Sequence, residues 1–71
     1  MTGKERITFL KQSLTILEGL GDEIIEKIAN AQEGISEGNA NLIIGSLVGI
    51  DQAAQHLKNV YEAMVFIHQG K

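Results

Sequence analysis

Proline is absent, and one short stretch, Ser36-Glu37-Gly38-Asn39-Ala40-Asn41, is the best turn in the chain, with apolar residues recurring at helical spacing on both sides of it. Gly38 suits the left-handed residue that follows a helix C-terminus, and Asn39 or Asn41 suits the N-cap of the next helix. A connection this short makes the flanking helices antiparallel neighbours. The expected fold is therefore all-α, an antiparallel two-helix hairpin over about 4–37 and 40–69.

On the N-terminal side, Thr2 with Glu5 reads as a capping box. Ile7, Leu10, Leu14, Leu17, Gly21, Ile24, Ile28, Ala31 and Ile35 then alternate steps of three and four, an unbroken heptad seam with one glycine in it. Gly19 and Gly21 each cost about 1 kcal/mol relative to alanine inside a helix, and Asp22 is able to cap a new one. A break at 19–22 would give a three-helix bundle instead. Continuity is the better reading, because a turn has no reason to preserve heptad phase and the phase is preserved.

The second helix carries one seam at Ile43, Leu47, Ile50, Ala54, Leu57, Tyr61, Met64 and His68. Beside it runs a second stripe, Leu42, Ser46, Gly49, Ala53, His56, Val60, Ala63 and Ile67. Folding at the turn sets Leu14 level with Met64, Leu17 with Tyr61 and Ile24 with Ala54, and brings Lys27 near Asp51 and Asp22 near His56. One seam serves one partner helix, and two adjacent seams let a helix touch two. Leu42, Ser46, Gly49, Ala53, Val60 and Ile67 are accordingly assigned to a second copy, which would complete a four-helix bundle as a homodimer.

Size points the same way. With 71 residues the chain is one domain, 1–71, in the range where a single core supplies about 3–5 kcal/mol. It has no cysteine and only His56 and His68 as imidazoles, so neither disulfides nor a thiolate zinc site add to that. Oligomerisation is the remaining common device.

Few chemistries fit these residues. Neither histidine has a ligand partner three or four residues away, so no metal is expected, and no cofactor. No nucleophile elbow or phosphate-binding glycine loop occurs, which argues against an enzyme. The uncharged apolar run Leu42–Ile50 holds GxxxG spacing at Gly45 and Gly49, but it is nine residues long and a membrane span needs roughly 20. No membrane insertion is expected, and with no secretory signal apparent the default location is the cytoplasm.

What remains is contact with other macromolecules. The charge of −3 disfavours general nucleic-acid binding, although Lys4, Arg6 and Lys11 gather at the N-terminal end. The expected architecture is similar to that of dimeric hairpin RNA-binding regulators of plasmids, without a shared residue pattern; a nucleic-acid-binding helical dimer using that basic end is the alternative function. Glu18, Asp22, Glu23 and Glu26 form an acidic run suited to a basic partner or to solvent. Phe66 lies opposite the first seam and is a candidate anchor for another protein. The leading expectation is a protein–protein interaction module: an adaptor, regulator or accessory subunit.

Overall fold

Helix α1 spans Gly3–Glu37, α2 spans Ala40–Ser46 and α3 spans Ile50–Gln69 in the computed structural model, which describes residues 2–70. No strand occurs among the described residues. The start of α1 follows from its cap: Thr2 Oγ1 accepts the Glu5 N–H at 3.1 Å and satisfies one of the donors that a helix start leaves free. Its end is a Schellman motif. Gly38 stands at φ 64°, ψ 31°, Asn39 N–H donates to the Gly34 carbonyl at 2.9 Å, and Gly38 N–H donates to the Ile35 carbonyl at 3.1 Å. Asn39 then caps α2, its Oδ1 accepting the Leu42 N–H at 3.1 Å.

Between these ends α1 is continuous. Gly19 and Gly21 both lie inside it without positive φ, so the break considered at 19–22 does not form.

The interruption lies elsewhere, and it corrects the expectation of an unbroken helix over 40–69. Residues 47–49 leave the helix, and Gly49 takes φ 87°. Tight bonds close α2, from Leu47 N–H to the Ile44 carbonyl at 3.1 Å and from Val48 N–H to the Gly45 carbonyl at 3.3 Å. Heptad phase survives across this short bend, which is why periodicity alone misses it. Local chemistry favours it: Gly45 and Gly49 lower helix propensity, and Ser46 Oγ donates to the Leu42 carbonyl at 2.7 Å, a back-bond that often bends helices.

Three contacts set how the rest of the chain returns along α1. At the turn, a β-carbon on Gly34 would lie 2.7 Å from Ile43 Cγ1, so the backbones are close there. Midway, Lys27 Nζ donates to the Val48 carbonyl at 2.9 Å. At the far end, Arg6 Nη2 donates to the Gly70 carbonyl at 3.0 Å. Both α2 and α3 therefore pack on α1, with Tyr61 near the level of Leu14, Ala54 near Gly21 and Leu47 near Ile28.

The result is a rod one helix layer thick. Its Cα extents are 54 × 15 × 11 Å and its radius of gyration is 16.5 Å, against about 11 Å for a compact domain of this length. Ala31 and Ala53 are the buried apolar residues among those described, and no large side chain is fully buried.

Candidate protein-interaction surface

Burial shows which side of α1 faces its own chain. The covered stripe runs through Leu10, Ser13, Leu17, Leu20, Ile24, Lys27, Ala31 and Gly34, with Ser13, Ala31 and Gly34 buried and the others half-buried. It shares Leu10, Leu17, Ile24 and Ala31 with the seam read from periodicity. The other half of that seam is open: Ile7 is 64%, Leu14 51%, Ile28 43% and Ile35 68% exposed. The helix has rolled toward its smaller residues. Ser13, Ala31 and Gly34 let a neighbouring backbone come close, and close approach brings more atoms into contact than bulky side chains held apart would.

The same roll is visible on the returning segments. Ala53 is buried, and Leu42, Ser46, Gly49, Val60 and Ile67, assigned from sequence to a second copy, are each half-covered within the single chain. Ala54, Tyr61 and His68, assigned to the internal seam, are exposed. The signal that locates the covered stripe is the small-residue spacing Ser13, Ala31 and Gly34, which a search for large apolar groups passes over.

Ile7, Leu14, Ile28, Ile35 and Tyr61 follow one pattern of exposure, and Ile16, Ile25, Ile44, Val48 and Phe66 are exposed outside it. Leu14, Gly21, Ile28 and Ile35 of α1 each follow, by one residue, a covered-stripe position, Ile7 follows the half-buried Arg6, and Ala54, Tyr61 and His68 each follow Ala53, Val60 or Ile67. A step of one residue turns about 100° around a helix. Because the segments run in opposite directions, a forward step on each turns toward the same side of the pair. Ile7, Leu14, Gly21, Ile28 and Ile35 thus share a face with Tyr61 and Ala54.

The accessible surface of the chain is 5385 Å². A compact folded protein of 7.7 kDa exposes about 4,300 Å². The difference, about 1,000 Å², is comparable to the roughly 800 Å² that each partner loses in a stable protein–protein interface.

The other candidate residues are placed as follows. Phe66 projects into solvent at 74% exposure. Glu18, Asp22, Glu23 and Glu26 are exposed along α1. Of the basic end, Lys4 and Lys11 are exposed, whereas Arg6 is half-buried and engaged with Gly70. The pairs expected from folding at the turn, Lys27 with Asp51 and Asp22 with His56, do not form; Lys58–Glu62 at 3.7 Å is the salt bridge present among the described residues. No group of metal-ligating side chains occurs among those residues. Among the described residues no helix is long and apolar enough to cross a membrane. An open depression of about 300 Å³ is lined by Lys4, Glu5, Thr8, Phe9 and Gln12 of α1. Family models, curated proteins and solved structures give no match to this chain.

Proposed function

We propose that the protein is a helical protein–protein interaction module that works as a homodimer, two antiparallel hairpins packing face to face into a four-helix bundle. Its role is that of an adaptor, regulator or accessory subunit. The observation that carries this reading is the mismatch between apolar content and coverage. Hydrophobic residues make up 44% of the chain, yet Ala31 and Ala53 are the apolar residues buried among those described. Burying apolar surface contributes about 25 cal/mol per Å², so a rod with its largest side chains half in water lacks the main source of folding free energy. A second layer supplies it.

Phe66 and the acidic run Glu18, Asp22, Glu23 and Glu26 remain available on this reading to another protein. The cytoplasm is taken as the location, which the cysteine-free composition permits. Nucleic-acid binding through Lys4, Arg6 and Lys11 has less support, since Arg6 is engaged with Gly70.

The test is the concentration dependence of thermal unfolding. A chain whose folding is coupled to dimerisation melts at a higher temperature as protein concentration rises. A midpoint that stays constant over a hundredfold range of concentration would refute the homodimer.

A further inference from the structure

We infer that the second copy docks on the open face of α1, related by a two-fold axis that passes beside Gly21, with the two α1 helices antiparallel and in closest contact there. This rests on the homodimer reading and adds which face is used and in what orientation. A two-fold interface must be complementary to itself, because the same patch is presented by both copies. The open stripe has that property: Ile7 and Ile35 lie fourteen residues either side of Gly21, and Leu14 and Ile28 seven. Reversing the helix about Gly21 sets Ile7 level with Ile35 of the second copy and Leu14 level with Ile28, at about 21 Å and 10 Å from the axis. None of these residues is charged.

Side-chain size along the stripe matches two rods that cross at an angle. They approach most closely at the crossing and diverge toward their ends. Gly21, with Ala54 near its level, forms a narrow waist, and larger groups lie on both sides: Leu14 and Tyr61 toward one end, Ile28 and Leu47 toward the other. Within the single chain nothing requires a glycine at 21. A β-carbon there would meet no atom within 4 Å, and the same is true at Gly19. Gly19 is exposed whereas Gly21 lies half-covered on the apolar side, so the pair separates the effect of a helical glycine from the effect of the interface.

Dimer affinity of Gly21→Leu and Gly19→Leu, measured by sedimentation with helix content checked by circular dichroism, decides the matter. Both substitutions favour the helix, so a simple stability effect moves them together. The expected result is a dimer dissociation constant raised at least about tenfold by Gly21→Leu and changed by less than about threefold by Gly19→Leu. Equal effects would overturn the assignment of the face while leaving the homodimer standing; a monomeric wild-type chain would overturn both. As a second readout that does not depend on tolerance of leucine, Gly21→Cys in this cysteine-free chain should form a disulfide-linked dimer on mild oxidation, because a residue beside the axis meets its own copy within the span a disulfide bridges. Gly19→Cys should not. Failure of the Gly21 variant to cross-link in a chain that dimerises would place the contact elsewhere.

Discussion

Gly34 and Gly38 illustrate how differently two glycines constrain one turn. Gly38 is required by its left-handed backbone at φ 64°, a conformation that costs a residue with a β-carbon about 1–2 kcal/mol. Gly34 has ordinary helical geometry, and its constraint is space: a β-carbon would lie 2.7 Å from Ile43 Cγ1 and 3.0 Å from the Ile43 backbone nitrogen. Gly34→Ala is therefore expected to lower stability by about 1–3 kcal/mol. Gly19→Ala, in open space, should raise it by about 1 kcal/mol. Urea unfolding of the two variants checks the opposite signs. Phe66→Ser, at a side chain 74% exposed, should change stability by less than about 0.5 kcal/mol; a larger loss in the same experiment would mean that Phe66 packs in the folded assembly. The caps at Thr2, Gly38 and Asn39 were legible in the sequence because each acts on backbone groups two to four residues away. The clash at Gly34 was not, since it depends on Ile43 arriving from beyond the turn.

Among the elements, α1 and the pair α2 and α3 differ in how readily pattern predicts form. Heptad phase identified α1 correctly through Gly19 and Gly21, because helix interiors tolerate glycine when the apolar rows on both sides stay aligned. The same phase concealed the bend at residues 47–49. Which row of α1 is covered was likewise beyond periodicity, because Leu10, Leu17, Ile24 and Ala31 belong to both candidate stripes and backbone proximity chooses between their neighbours. The bend is held by Lys27, whose ammonium group donates to the Val48 carbonyl across the helix pair. Lys27→Met keeps a long apolar stem and removes the donor. It should accelerate amide exchange at Leu47, Val48 and Ile50 about fivefold, the effect of a bond contributing about 1 kcal/mol, and leave the C-terminal half of α3 unchanged. Uniform acceleration throughout α3 would instead mean that Lys27 contributes to global stability.

For the whole molecule, shape is the decisive property. The caps and seams build a rod 54 Å long and 11 Å thin that leaves Ile7, Leu14, Ile28, Ile35 and Tyr61 exposed. On the proposed homodimer a second copy covers them, and the near-symmetry of the α1 stripe about Gly21 is the support for that proposal. Sedimentation equilibrium of the unmodified chain at about 1–100 µM tests this most directly. The account predicts a mass twice the chain's 7.7 kDa; a mass of a single chain, in a sample that is helical and unfolds cooperatively, would contradict it.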